Sequence, residues 1–172
     1  MSDPSIHRPR ALSFLAAGLL ALTTFAQARA DTTLAPQTLR GEPVVQVAAG
    51  LFHSCALIQS GRVLCWGLNA SGQLGNGLTL DQLGPTDVPG LTGVTQIAAA
   101  PAFNCALRST GRVFCWGLND FGQLGDGTTT NRLTPVRVEG LTGATRIMVG
   151  ARHACALRDS GRVFCWGRND SG

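Results

Sequence analysis

Six cysteines fall into three pairs, Cys55 with Cys65, Cys105 with Cys115 and Cys155 with Cys165, each pair separated by nine residues and recurring every 50. A histidine stands two residues ahead of the first and third pairs, at His53 and His153, while the second pair has Phe103 there. Thiols and imidazoles in this arrangement offer two chemistries. One is a zinc site, which usually draws on cysteines two to four residues apart. The other is oxidation to disulfides, for which the repeat itself selects one pairing, within each unit. The long gap and Phe103 weigh against a shared metal, so no metal and no cofactor is expected. Asn119-Asp120 and Asp126-Gly127 resemble part of a calcium loop, but no closing Glu follows and the first copy has Ala70 and Asn76.

Other chemistries lack their residues. The chain has no lysine, which removes a phosphate-binding Walker loop and Schiff-base catalysis. It has neither a Gly-x-Ser-x-Gly elbow nor His-Glu-x-x-His. No catalytic residue is assigned, and the chain reads as a non-enzyme.

The elements that would bring each cysteine pair together are short and β-type. Each copy opens with an apolar stretch at 44–50, 94–100 or 144–150, where Ala48, Ala49, Ala98 and Ala99 suit a crowded innermost strand. Two further runs follow, 54–58 and 62–66 in the first copy, separated by Ser60-Gly61. A short polar residue followed by glycine supplies the positive φ of a hairpin turn. A turn with a glycine bulge sets Cys55 opposite Cys65 on one face, within reach of a disulfide. A turn without it slips the register and sends the thiols to opposite faces. Beyond the hairpin, Gly67, Gly72, Gly75 and Gly77 exclude a helix and mark a tight loop around Leu74; Gly122, Gly125 and Gly127 repeat it around Leu124. Pro85 and Pro135 then precede an outer strand, since proline is tolerated at a sheet edge.

Each copy therefore makes a small antiparallel sheet of about four strands, and such units must stack to bury their apolar faces. The predicted architecture is an all-β, partial β-propeller: repeats at 44–93 and 94–143, and a truncated third at 144–172. Residues 31–43 form a linker or closing strand. The third copy stops mid-unit, which suggests a fragment or a truncated product.

The first 30 residues differ in kind. Arg8 and Arg10 precede an apolar run from 11 to 22, and Ala28-Arg29-Ala30 supplies the small residues of a cleavage site. Residues 1–30 read as a signal peptide, giving a secreted or periplasmic protein with no membrane association after cleavage. Export also favours disulfides over free thiols. From Asp31 onward 11 arginines face 9 acids, a net +2, which is too weak to indicate nucleic acid.

The string from Cys55 through Trp66-Gly67 to Asn69 and Gly72-Gln73-Leu74-Gly75, with its counterpart in the next copy, resembles the regulator of chromosome condensation repeat family, including its alpha-tubulin suppressor branch. The resemblance covers essentially all of 44–172. It implies a propeller, typically of about seven blades, that serves as a rigid platform for protein contacts. The family's eponymous member acts in nucleotide exchange on a nuclear GTPase and binds chromatin, partners an exported chain does not meet. Secreted bacterial relatives include a propeller that inhibits β-lactamases, so an exported protein-binding role has a precedent.

Residues present in every copy are read as packing: Trp66, Trp116 and Trp166, with Leu74 and Leu124. Arg62, Arg112 and Arg162 are read as a solvated set at the turn tips. Binding is sought where copies differ, in the loops carrying Leu78 and Asp81 and their counterparts Thr128, Asn131 and Arg132. The expected partner is a protein, with self-association or further blades of a longer propeller as the ways to cover open sheet faces. Alternatives of another class are a nucleotide-exchange-like regulator, a secreted propeller hydrolase or lyase, and a purely structural array.

Overall fold

The computed structural model describes residues 38–170; the expected signal peptide at 1–30, most of the 31–43 segment and the last two residues lie outside that range. Within it the chain is all-β, with three antiparallel sheets in chain order. The first contains β1 (Thr38–Leu39), β2 (Glu42–Ala49), β3 (His53–Ile58), β4 (Val63–Gly67) and β5 (Gln82–Asp87). The second contains β6 (Val94–Ala99), β7 (Phe103–Arg108), β8 (Val113–Gly117) and β9 (Arg132–Arg137). The third contains β10 (Ala144–Val149), β11 (His153–Arg158) and β12 (Val163–Gly167). Neighbours in sequence are neighbours in each sheet, so every connection is local.

The central hairpin is set by its turn. Ile58 N donates to Arg62 O at 3.0 Å and Gly61 N to Ile58 O at 2.9 Å, with Gly61 at φ 79°. A three-residue turn closed by glycine in the left-handed region is the bulged form that matches strand twist. It produces the register Leu57↔Val63, Cys55↔Cys65 and His53↔Gly67, and the other copies repeat it. Pro85 and Pro135 lie in the outer strands β5 and β9, where a missing N–H costs no ladder bond.

The apolar core lies between sheets. Residues alternate in facing, so one face of the first sheet supplies Cys55, Leu57, Val63 and Cys65, and the loop after β4 adds Leu74. Val94, Ile97, Ala106 and Trp116 of the second sheet complete that cluster. A second cluster repeats the pattern between the second and third sheets. The corresponding face of the third sheet has no further sheet on it among the described residues. Val163 is 63% exposed there, against 1% for Val63 and 0% for Val113. Each sheet thus depends on its successor for burial, the physical basis of a stacked repeat.

Polar side chains hold this stack in register. Gln46 Oε1 accepts the Ile97 N–H at 2.9 Å, and its Nε2 donates to the Ile97 carbonyl at 2.8 Å. Gln96 makes the same two bonds, at 2.9 and 2.8 Å, to Ile147. The third copy carries Arg146 at this position, and a guanidinium has no acceptor to repeat the clamp.

Glycine spacing has a steric reason at Gly50, whose φ is unexceptional. A Cβ there would lie 2.2 Å from His53 Cε1 and 2.6 Å from the Ala100 carbonyl oxygen. The second copy pairs Ala100 with Phe103 instead. Gly50→Ala is expected to destabilise the chain by about 2 kcal/mol through overpacking. Gly84→Ala serves as the control, because nothing lies within 4 Å of a Cβ there. Urea midpoints that match for the two variants would contradict this account.

Candidate functional site

Each cysteine pair is joined as a disulfide, Cys55–Cys65, Cys105–Cys115 and Cys155–Cys165, with Cα–Cα distances of 4.1, 4.1 and 4.0 Å. The first two are buried in the inter-sheet clusters. The sulfurs are therefore not available as metal ligands. Among the described residues no group of three or more His, Cys, Asp or Glu side chains is placed to hold a metal ion.

His53 is committed elsewhere. It is buried, and its Nε2 lies 3.0 Å from Asn104 Oδ1 on the neighbouring sheet. Asn104 Nδ2 in turn donates to the Gln73 carbonyl at 2.7 Å, and the Trp116 indole N–H donates to that same carbonyl at 2.9 Å. Burial lowers the His53 pKa from its ordinary value of 6.5, and the bond to Asn104 offsets part of the effect. His153 is exposed.

The three tryptophans occupy one repeat position in different settings. Trp116 is fully buried between the first and second sheets, against Gly75. Trp166 makes the matching indole bond to the Gln123 carbonyl at 2.9 Å but is only partly buried, as is Trp66. Leu74 and Leu124 are fully buried beside them.

Beyond β4 and β8 each loop is organised by an asparagine. Asn69 is fully buried; its Nδ2 donates to Asn76 Oδ1 and to the carbonyls of Leu78 and Leu80 at 2.9 to 3.2 Å. Its Oδ1 accepts the Leu74 N–H at 2.9 Å. Asn119 repeats this scheme toward Asp126, Thr128, Thr130 and Leu124. The residues singled out for binding are drawn into the same scheme. Asp81 and Asn131 each accept the N–H of the organising asparagine at 2.8 Å, and Thr128 and Arg132 donate to Asp126. Burial alone would raise the Asp126 pKa, but donors from Arg132, Thr128 and Asn119 outweigh it and hold the carboxyl below its ordinary value. Leu78 remains half exposed. The structural role of these asparagines has one signal in the sequence, a polar residue repeated at the same place after Gly-Leu in both copies.

The arginines at the turn tips are not equivalent. Arg62 pairs with Asp87 and with Glu42 at 3.7 Å, a partly screened cluster that Arg40 joins through Asp87. Arg112 lacks this setting because Arg137 and Thr92 replace the two acids. All three stay accessible to solvent, and at Arg62 acids particular to the first copy also pair with the guanidinium.

The loops at the other end of the strands differ between junctions. At the second junction Phe121 has Arg152 over its ring at 4.8 Å and Arg168 at 5.1 Å, with Arg168 also paired to Asp170. The equivalent positions at the first junction are Ser71, Ala102 and Leu118. A half-buried aromatic flanked by two exposed guanidiniums makes this end of the second junction cationic and partly apolar, unlike the first.

Stacked four-stranded sheets, each buried by the next and tied by disulfides and amide clamps, define a repeat-built β-propeller segment. The model of the family described as Regulator of chromosome condensation (RCC1) repeat matches residues 60–107 and 110–157, and a second model of the same description matches 44–73, 94–123 and 145–172. The chain belongs to this repeat family. The 60–107 frame begins in a hairpin turn and ends in β7, so it joins the outer half of one sheet to the inner half of the next.

Solved structures place the fold in the same company. Human WBSCR16 superposes with a TM-score of 0.70 at 30% identity over 76% of this chain and 34% of its own. Prp20p from Saccharomyces cerevisiae, described with its binding properties to Gsp1p and histones, gives a TM-score of 0.64 at 30% identity over 77% of this chain and 32% of its own. In sequence, human E3 ubiquitin-protein ligase HERC2 is 49% identical over 55 residues, 32% of this chain and 1% of that protein. The chain spans about a third of the solved relatives' length and a small fraction of HERC2.

Proposed function

We propose that this chain is an exported, non-catalytic propeller segment of the alpha-tubulin suppressor-like kind, whose variable loop end binds a protein partner. One observation carries the reading: several copy-specific side chains are displayed at one end of sheets whose shared loop asparagines are engaged inside. The Cys55–Cys65 and Cys105–Cys115 disulfides, Asn69 and Asn119 are buried and engaged; Phe52, Leu78 and Arg152 are exposed. A rigid scaffold presenting variable loops is the usual design of a recognition surface. Protein binding also appears in the description of Prp20p, whose fold this chain shares.

The test is retention of a partner from the protein's own periplasmic or culture fraction, followed by crosslinking to locate the contact. The exported form is expected to start at Asp31 by intact mass. Phe121→Ser with Arg152→Ala, which copies Ser71 and Ala102 of the first junction, should weaken retention about tenfold, near the usual cost of one anchor residue. Undiminished retention in this variant, with crosslinks confined to the hairpin-turn end, would sink the loop-end reading. Recovery of a cytoplasmic form beginning at Met1 would sink export.

A further inference from the structure

The two junctions between sheets use the same repeat positions and opposite chemistry. At the first, His53 and Asn104 meet, 3% and 2% exposed. At the second, Phe103 and Ala154 take those places, 0% and 1% exposed. The Trp116 and Trp166 indoles close the two junctions with identical bonds, each 2.9 Å long, to Gln73 and Gln123 carbonyls. The protein thus contains a polar junction and its own apolar control.

The proton on His53 can be placed. Asn104 Nδ2 is spent on the Gln73 carbonyl, so Oδ1 is the atom facing the imidazole, and Nε2 must be the donor. Nδ1 is then a bare lone pair, buried and without a hydrogen-bond partner. Gly50, Gly67 and Asn104, which lie against His53, are all neutral. Among the described residues, burial and the bond to Asn104 set the direction of its shift. A second proton would create a buried imidazolium whose new N–H meets no acceptor and no countercharge.

We propose that the first junction is an acid-sensitive hinge, in which proton uptake by His53 parts the first sheet from the second while the apolar second junction stays closed. Opening would expose Leu57, Val63 and Leu74, which the second sheet now covers. The sign follows from linkage. The closed junction favours neutral imidazole, so its stability is complete above the ordinary pKa of 6.5 and is lost as pH falls toward the lower closed-state value. Within that window the ratio of open to closed rises about tenfold per pH unit, the response of one linked proton.

The three indole N–H resonances give a direct measurement on the full chain. The exchange rate of the Trp116 indole proton divided by that of Trp166 cancels the intrinsic pH dependence of indole exchange. That ratio is expected to be flat above 6.5 and to climb about tenfold per unit below it. His53→Gln keeps a donor for Asn104 Oδ1 without titrating and should leave the ratio flat. His53→Phe with Asn104→Ala installs the second junction's pairing and should do the same. A constant ratio in the unaltered protein, including one where both rates rise together, overturns the proposal whether or not the variants fold. So does a rise that persists in either variant.

Discussion

Trp116→Ala is expected to cost about 4 kcal/mol, the range for deleting a fully buried aromatic side chain. The indole is 0% exposed and lies against Gly75, where even an added Cβ would come within 2.7 Å of the ring. Truncation removes its apolar area, opens a cavity between sheets and deletes a hydrogen bond. The Gln73 carbonyl keeps Asn104 as a donor, which limits the penalty for an unpaired acceptor. Trp166→Ala should cost roughly half as much, because its side chain is only partly buried and the surroundings can relax. Urea denaturation followed by far-ultraviolet circular dichroism reads both, with midpoint and slope fitted separately. Equal losses for the two variants would mean that burial between sheets is not what stabilises the stack.

The disulfides should rank in the same way. Cys105→Ser with Cys115→Ser is expected to cost about 3 kcal/mol in the chain-entropy model, with a further penalty for placing two hydroxyls in an apolar site. Both cysteines are 0% exposed within the cluster between the second and third sheets. The corresponding change at Cys155 and Cys165 meets water, so only the chain-entropy part is lost there. The two double variants therefore differ by the cost of burying hydroxyls, roughly 1 to 3 kcal/mol. If the order were reversed, the pairing would matter through something other than core packing.

A closed propeller places these same groups in a continuous ring. Here the third sheet leaves Met148 74% and Val163 63% exposed among the described residues, and Arg146 replaces the clamp glutamine. The positions that fuse the first two sheets are thus solvent-facing on the third, which carries no further sheet among the described residues. The Trp116 and Trp166 comparison measures that dependence within one molecule, since the repeat position is constant and only the cover differs.

Much of this was legible locally. Gly61 and its counterparts at Gly111 and Gly161 announce a hairpin turn; whether it is bulged, and hence on which face Cys55 and Cys65 sit, was settled by the structure. Pro85 and Pro135 mark outer strands because a proline cannot serve a central ladder. The loops were harder to read. Asp81, Asn131 and Arg132 vary between copies and so resemble contact residues, yet their polar atoms close loops around Asn69 and Asn119 or pair with Asp126. Variation alone cannot separate a residue facing a partner from one facing its own backbone.

By itself the sequence determined the repeating unit and the place of its hairpin turn, and narrowed the thiol geometry to two registers, through φ preferences and period-two alternation over a few residues; the structure selected the bulged turn that pairs the thiols. Only the tertiary structure decided which residues meet across sheets. His53 finds Asn104 and Gln46 finds Ile97 at separations of 51, and Trp116 finds Gln73 at 43. These contacts depend on how one twisted sheet is offset and rotated against the next. Local spacing carries no record of that rigid-body relation, so the polar junction, its buried imidazole and its apolar twin appear only once the sheets are stacked.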